Sequence, residues 1–145
     1  MKRTIFTSLL LVICLSANSL IFSQNSSKWE PVFLTVSGGN YLDGVEVYFK
    51  TDICNAESVV FIKFINKNDY AVKLSWFDAV FTNESKWIHK DAPSELQTIS
   101  LTAKSEKAGD CASSNPQLTI KLKDFIDQFD HFKRFSTSKL TISID

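Results

Sequence analysis

Apolar and polar residues alternate along most of this chain, and this alternation constrains the fold more than any other feature. In Val45–Lys50, apolar side chains occupy every second position. A period of two over four to eight residues is typical of half-buried β-strands. Five further segments share the period: Val59–Ile65, Ala71–Trp76, Ile99–Ala103, Leu118–Lys123 and Leu140–Ile144. Pro31–Val36 and the weaker Ala79–Thr82 bring the prediction to seven to eight strands.

Turn-forming residues separate the predicted strands. Asn66–Asp69 predicts a hairpin, because Asn and Asp tolerate left-handed backbone conformations. Glycines interrupt the chain at Ser37–Asn40 and Asp43–Gly44, and a polar stretch, Ala108–Pro116, precedes the strand that begins at Leu118. Short strands at this spacing predict an all-β fold, an antiparallel sandwich of two sheets.

One segment, Asp124–Arg134, departs from the alternation. Its apolar residues Phe125, Ile126, Phe129 and Phe132 recur with helical spacing. Its acidic first turn and basic last turn match the charge order that the helix dipole favours. The pattern predicts one short helix near the C-terminus, with an irregular crossover as the alternative.

The stretch Val60–Trp76 combines an apolar strand, an Asn-Lys-Asn turn and a Val-Lys-Leu-Ser-Trp strand. It resembles the paired central strands of immunoglobulin-like sandwiches in bacterial exported proteins. Ile99–Ala103, with the later Gly109–Asp110, is similar to the strand and turn that often follow. Unlike antibody domains, the chain has no tyrosine shortly before its last cysteine. The resemblance implies an immunoglobulin-like sandwich but no site residues, because such sandwiches have many functions.

The first 23 residues have the layout of a secretory signal peptide. Met1–Arg3 is basic, Ile5–Leu15 is an apolar run, and small polar residues follow. Cleavage is expected after Ser19 or after Ser23, and Cys14 would be removed with the signal. The run is shorter than the roughly 20 apolar residues that span a bilayer, so a retained membrane anchor is the lesser alternative.

Removal of residues 1–23 would leave residues 24–145, 122 residues in all, as a single β-sandwich domain. Lys2 and Arg3 are lost with the signal, so 14 basic side chains remain against 16 acidic ones, a net charge of −2. Without a basic stripe, nucleic acid is not expected as a partner. We expect the domain in the periplasm, outside the cell or at the cell surface, with no stable membrane insertion.

Two cysteines remain after the signal, Cys54 and Cys111, and each lies in a polar, loop-like context. An even count in an oxidising compartment predicts a disulfide between them. A nucleophilic or metal-bound thiol is the lesser alternative, because neither cysteine is accompanied by the further cysteines or the HxxxH spacing of a metal site.

Catalytic residues are not recognisable in the sequence. His89 lies near carboxylates, but no GxSxG nucleophile elbow exists. We therefore interpret His89 as an exposed loop residue and His131 as a partner of the predicted helix dipole. The carboxylates lack the DxDxDG spacing of a calcium loop, although loop acids that converge on calcium are an alternative. No enzyme activity, cofactor or metal is expected.

Three aromatic residues in polar contexts, Trp29, Tyr41 and Trp87, are candidate binding residues, because aromatic faces can stack on sugar rings. The alternative is that these residues only cap the ends of the core.

The segment Val59–Ile65 is apolar on both faces. One predicted face turns toward the core; the other forms a candidate interface patch of Tyr48, Val59, Phe61 and Ile65. A sandwich core uses only one face of each sheet. We expect the Asp124–Arg134 helix to cover the patch, with a partner protein as the alternative.

Together these features predict an exported, non-enzymatic binding or structural domain of the bacterial envelope, with an unknown protein or carbohydrate partner. One alternative is a small secreted hydrolase, which the missing nucleophile–base pair disfavours. Another is an inhibitor or immunity-type protein.

Overall fold

Ten β-strands, all paired antiparallel, form two sheets in the part of the chain that the structure describes. This computed structural model describes residues 28–112 and 114–145, and the predicted signal peptide, residues 1–23, lies outside them. In chain order the strands are β1 Glu30–Pro31, β2 Tyr41–Leu42, β3 Val45–Cys54, β4 Glu57–Asn66, β5 Val72–Thr82, β6 Trp87–His89, β7 Gln97–Leu101, β8 Glu106–Ala108, β9 Thr119–Lys121 and β10 Phe132–Ile144. Short 3-10 turns span Pro93–Glu95, Pro116–Leu118, Leu122–Asp124 and Phe129–His131.

The two sheets pack face to face. Sheet 1 contains β1, β2, β3, β4, β8 and β9, with β3 and β4 at its centre. Sheet 2 contains β5, β6, β7 and β10, and its central strand β5 pairs with β10 on one side and with β6 and β7 on the other. The rings of Phe64 in β4 and Trp76 in β5 have centroids 4.8 Å apart. The predicted all-β, antiparallel sandwich is confirmed.

One apolar core fills the space between the sheets. Alternate residues of β3, β4 and β5 face inward, as the period of two predicts. The buried inward residues include Val45, Val47, Phe49, Val60, Ile62, Phe64, Val72, Leu74 and Trp76. Each such side chain contributes about 1.5–3 kcal/mol when it leaves water, so this core holds the two sheets together.

The hairpin in sheet 1 is not the predicted one. β3 and β4 pair along their whole length, and Asn55 and Ala56 form the two-residue turn between them with positive φ. Asn66–Asp69, predicted as a hairpin turn, carries the chain from sheet 1 to sheet 2 instead. That prediction was wrong because the following strand, β5, pairs within the other sheet.

The buried side chain of Asn66 fixes this crossing between the sheets. Its Nδ2 donates to the carbonyl oxygens of Tyr70 and Thr102, each at 2.9 Å. Its Oδ1 accepts from the backbone N–H of Asn68, also at 2.9 Å. The Asn-rich sequence therefore serves a corner, where a side-chain amide replaces backbone partners that the ladder no longer supplies.

Sheet 2 is longer than its sequence pattern suggests. The predicted strands Ala71–Trp76 and Ala79–Thr82 are one strand, β5, and β10 begins at Phe132 instead of Leu140. The long β5–β10 ladder contains shifts of register near Lys133 and near Lys139, whose φ is +52°. In sheet 1, Pro31–Val36 forms only part of the short β1 and then an isolated bridge. With the short strands β2, β6 and β8, the described residues contain ten strands instead of the seven or eight predicted.

The predicted helix over Asp124–Arg134 is wrong. The segment contains one residue of the 3-10 turn Leu122–Asp124, an irregular stretch, the 3-10 turn Phe129–His131 and the start of β10. This is the irregular crossover that we gave as the alternative. Isolated helices of this length are marginal, whereas pairing with β5 gives the later residues a complete ladder. His131 therefore has no helix dipole to interact with.

β8 and β9 pair with the same edge of β4, one after the other, and a short loop separates them. Ala108 at the end of β8 lies opposite Lys63, and Thr119 at the start of β9 lies opposite Phe61. Only Ile62 of β4 separates the two pairings. Residues 109–117 are therefore a nine-residue insertion into one strand, which we call the insert loop.

The neck of the insert loop requires glycine at its first position. The backbone N–H of Gly109 donates to the carbonyl of Ile62 at 2.9 Å. A β-carbon on Gly109 would lie 2.0 Å from the carbonyl oxygen of Leu118, where the chain returns to the sheet. Any side chain would force the neck of the loop apart.

A disulfide tethers the insert loop to sheet 1. Cys111 in the loop bonds to Cys54 at the end of β3, with the two Cα atoms 5.5 Å apart. The predicted pairing of Cys54 and Cys111 is thus present. Cys54 also belongs to a second apolar cluster on the outer face of sheet 1, together with Val59, Phe61 and Trp29.

This second cluster covers the centre of the candidate patch. Tyr48, Val59, Phe61 and Ile65 do share the outer face of sheet 1, but Val59 and Phe61 are each only 2% exposed. The predicted cover by a helix is wrong, because Phe125 and Phe132 pack against the main core instead. Trp29 and the disulfided Cys54 contact the patch, and the ammonium groups of Lys50 and Lys63 lie 5.3 and 4.7 Å from the Trp29 ring centre.

Phe61→Asp is expected to destabilise the protein by several kcal/mol, because it would replace a buried ring among Val59, Cys54 and Trp29 by a desolvated carboxylate. The Lys50 ammonium, 5.2 Å from the Phe61 ring centre, would offset only part of this cost. Phe33→Asp is the matched control, since the Phe33 side chain is 48% exposed. The measurement is the free energy of unfolding in urea. Equal values for the two variants would show that the chain does not cover this face.

Candidate functional site

A cleft of about 450 Å³ opens at one edge of the sandwich, where the two sheets separate. Sheet 2 contributes Asp78 from β5 and several residues between positions 90 and 97. Sheet 1 contributes the end of the insert loop, β9 and the turn that follows it. The cleft therefore lies beside the insert loop, and both of its walls rest on paired strands.

Asp78 is the unusual residue of the cleft. It lies on the inward side of β5, where it continues the alternation of Leu74 and Trp76, and it is only 7% exposed. Its Oδ1 accepts a hydrogen bond from Trp76 Nε1 at 2.9 Å. Hydrophobic residues occupy the neighbouring inward positions, so an acid here departs from the pattern that builds the core.

Burial raises the pKa of Asp78 from 3.8 to about 6. The hydrogen bond from Trp76 and the charge of Lys90 stabilise the carboxylate and offset only part of the effect of burial, while Glu95 adds repulsion. Near neutral pH the carboxylate is therefore ionised but poorly solvated. Such a group interacts strongly with any donor that enters the cleft.

The sheet 2 wall places donors and acceptors around Asp78. The backbone N–H of Lys90 donates to the Asp78 carbonyl at 3.0 Å. The Lys90 ammonium lies 4.7 Å from the Phe125 ring centre. Glu95 accepts from the Ala92 N–H at 3.3 Å through Oε2, and the Gln97 amide donates to the Glu95 carbonyl at 3.2 Å. These contacts hold the wall in one arrangement.

The opposite wall depends on the insert loop. Gln117, the last residue of the loop, lines the cleft together with Thr119, Lys121 and Asp124. The Thr119 hydroxyl donates to the carbonyl of Asp110 at 3.2 Å, which joins β9 to the start of the loop. Because Cys111 fixes the loop to β3, the disulfide also supports this wall.

The cleft offers carboxylates, ammonium groups, amides and a hydroxyl within one small volume. Such a mixture can both donate to and accept from hydroxyl groups. No cluster of three or more His, Cys, Asp or Glu able to hold a metal ion occurs within residues 28–112 and 114–145.

The three candidate aromatic residues lie at separate places. Trp29 packs on the outer face of sheet 1, and Tyr41, 52% exposed, lies in the short β2 at the edge beside β3. Trp87 lies in β6, where its ring centre is 4.9 Å from that of Phe81. The structure does not bring these aromatic residues together into one site, and none of them lines the cleft.

The histidines do not form a catalytic pair with a carboxylate in the described chain. His89 is exposed in β6, with its ring centre 6.0 Å from that of Trp87. His131 lies in a 3-10 turn. Neither lines the Asp78 cleft. No helix long enough and apolar enough to cross a membrane occurs among the described residues.

Sequence reasoning did not single out the residues of the cleft. Asp78 was one of several scattered carboxylates in the sequence, because the predicted strand Ala71–Trp76 ended two residues before it. The available signal was the alternation of Val72, Leu74, Trp76, Asp78 and Val80, which places an acid on a core-facing position. Gln97 and Gln117 line the same cleft only because the two sheets pack together. No local sequence pattern indicates that they share a cleft.

Comparisons with known proteins leave the family open. No protein-family model and no curated protein matches the sequence. Among solved structures, the crystal structure of a DUF1425 family member from Shewanella sp. pv-4 aligns with 83% of this chain and 92% of its own, at 12% identity and a TM-score of 0.44. A likeness of this size assigns neither function nor site residues.

Asp78 is expected to make the protein less stable as the pH rises from about 4 to about 7. The folded state holds the proton up to a pH of about 6, whereas the unfolded chain releases it near 3.8. The free energy of unfolding therefore falls by about 2–3 kcal/mol across this interval. Urea unfolding of the wild type and of Asp78→Asn at several pH values measures the effect.

The variant should gain stability relative to the wild type as the pH rises, because the asparagine does not titrate. Taking the difference between the two proteins removes the contributions of all other groups. Asp127→Asn, at an exposed carboxylate, is the matched control for the loss of one negative charge. A difference between the wild type and Asp78→Asn that is independent of pH would contradict the raised pKa.

Loss of the disulfide is expected to affect both stability and the cleft wall. The double variant Cys54→Ser/Cys111→Ser should lose about 2–4 kcal/mol of unfolding free energy, because its unfolded chain is no longer cross-linked. Amide hydrogen exchange should accelerate more in the insert loop than in β4, since only the loop loses its tether. Unchanged exchange within the loop would show that the disulfide does not position it.

Proposed function

We propose that this protein is an exported, non-enzymatic binding domain of the bacterial envelope, and that the Asp78 cleft holds a small, hydroxyl-rich ligand such as a neutral sugar. The observation that supports a binding role best is the position of Asp78. It occupies an inward position of a core strand, where an apolar residue or an amide would stabilise the fold more. Residues that reduce stability in this way are characteristic of functional sites.

The ligand class follows from the lining of the cleft. Asp78 and Glu95 accept hydrogen bonds, Lys90 and Lys121 donate them, and Gln97 and Gln117 do both. A ligand with many hydroxyl groups satisfies such a mixture without a net charge of its own. The volume of about 450 Å³ falls within the range of pockets for small molecules.

Export and location rest on two features. The N-terminal sequence has the layout of a signal peptide, and the Cys54–Cys111 disulfide fits an oxidising compartment. We also infer an immunoglobulin-like topology for the sandwich. Its support is the chain's path, in which a β3–β4 hairpin leads to β5 in the other sheet and back to β8 and β9 beside β4.

A hydrolase is the second candidate, and the same residue favours it. A carboxyl group with a pKa of about 6 suits a general acid, and Glu95 and Asp124 supply further carboxylates in the cleft. Most enzymes that hydrolyse a glycosidic bond use a pair of carboxyl groups. The two candidates predict different behaviour of an Asp78 variant.

The test is calorimetric titration with a panel of neutral mono- and disaccharides, combined with an assay for released reducing sugar. For a binding domain, the wild type should bind a member of the panel without turnover. Asp78→Asn should weaken that binding about ten-fold or more, through loss of a charged hydrogen bond. Gln117→Ala, from the opposite wall, should weaken it as well.

Asp127→Asn, outside the cleft, is the control and should bind like the wild type. If the wild type releases reducing sugar and Asp78→Asn binds but does not, the hydrolase is the correct candidate. If no member of the panel binds, or if Asp78→Asn binds as tightly as the wild type without any turnover, the proposed site is wrong.

A further inference from the structure

The outer face of sheet 2 carries a group of aromatic rings on the reverse side of the strand that holds Asp78. Phe81 of β5 lies opposite Trp87 of β6, and their ring centres are 4.9 Å apart. The guanidinium carbon of Arg134 is 5.0 Å from the Phe81 ring centre, and the Lys133 ammonium is 5.6 Å from it. We call Phe81, Trp87, Lys133 and Arg134 the aromatic–cationic ledge.

Several cations around sheet 1 are neutralised by carboxylates. Around sheet 1, Lys121 and Lys123 pair with Glu57, Lys50 pairs with Asp52 and Lys67 pairs with Glu46. The hydrogen bond from Lys121, with one from Lys123, lowers the pKa of Glu57 to about 2. These four lysines therefore have carboxylate partners.

The two cations of the ledge have none. Neither Lys133 nor Arg134 forms an ion pair with a carboxylate in residues 28–112 or 114–145, and both side chains are exposed. Nearby, Lys139 is paired with Asp91 at 3.7 Å. The ledge therefore presents two exposed cations that have no carboxylate partner among the described residues.

We infer that the aromatic–cationic ledge binds an acidic saccharide, a sugar ring that carries a carboxylate. The apolar face of a sugar ring packs on an aromatic ring such as Trp87. The Arg134 guanidinium can hold a carboxylate with two parallel hydrogen bonds, and Lys133 adds a second charge. The charge complementarity favours an anionic ligand over a neutral one.

The ledge is better suited to a sugar than to a lipid surface. Phe81 and Trp87 are half-buried between their neighbours, so their rings do not project from the protein. Insertion into a bilayer needs apolar side chains that project beyond the surface. A sugar ring that packs on Trp87 needs only one exposed aromatic face and the two cations nearby.

The experiment is titration of the full exported chain with oligogalacturonate and with alginate oligosaccharides, and with neutral malto-oligosaccharides of equal length. The acidic oligosaccharides should bind, and high salt should weaken the binding because exposed charges are screened. Arg134→Ala should weaken it about ten-fold, and Trp87→Ala should weaken it by removing the aromatic ring on which the sugar packs. Lys73→Ala removes one exposed, unpaired charge elsewhere on sheet 2 and should have no effect.

Three outcomes would overturn the inference. The first is that the acidic oligosaccharides bind no more tightly than the neutral ones. The second is that Lys73→Ala weakens binding as much as Arg134→Ala. The third is that the chain binds vesicles of anionic phospholipid and no oligosaccharide. Asp78→Asn separates this surface from the cleft, because it should leave binding of acidic oligosaccharides unchanged even if the proposed function of the cleft fails.

Discussion

Strand β4 is buried on both of its faces, and the rest of the structure depends on how that burial is achieved. Its inward residues form the core with sheet 2, as in any sandwich. Its outward residues Val59 and Phe61 would be an exposed apolar patch if Trp29 and the disulfided Cys54 did not pack on them. Trp29 and the Cys54–Cys111 disulfide thus cover the outer face of sheet 1 where a third layer of secondary structure would otherwise be needed.

The insert loop links this cover to the cleft. It leaves the strand position beside Ile62, bonds through Cys111 to the end of β3, and returns with Gln117 in the cleft wall. The loop therefore adds one wall of the cleft without changing the pairing of β4. Asp78 lies in the opposite wall, where it reduces stability near neutral pH.

The sequence predicts the sandwich because period two is a local property of each strand. It predicts the disulfide because only two cysteines lie outside the predicted signal peptide. It fails for Asp124–Arg134, where helical spacing is overridden by pairing of β10 with β5. It also fails for Asn66–Asp69, since turn chemistry does not specify which sheet the next strand joins. The cleft arises from residues distant in sequence, so its only local signal is the acid at Asp78.

The central claim is that residues 109–117 are an insertion that the cleft requires and the sandwich does not. Deletion of these residues, in a Cys54→Ser background, would place Leu118 opposite Ile62 and let β8 and β9 continue as one strand. Amide hydrogen exchange of this variant, compared with Cys54→Ser/Cys111→Ser, tests the claim most directly. The account predicts that β4 stays protected and that unfolding stays cooperative. Loss of protection along β4 would contradict it.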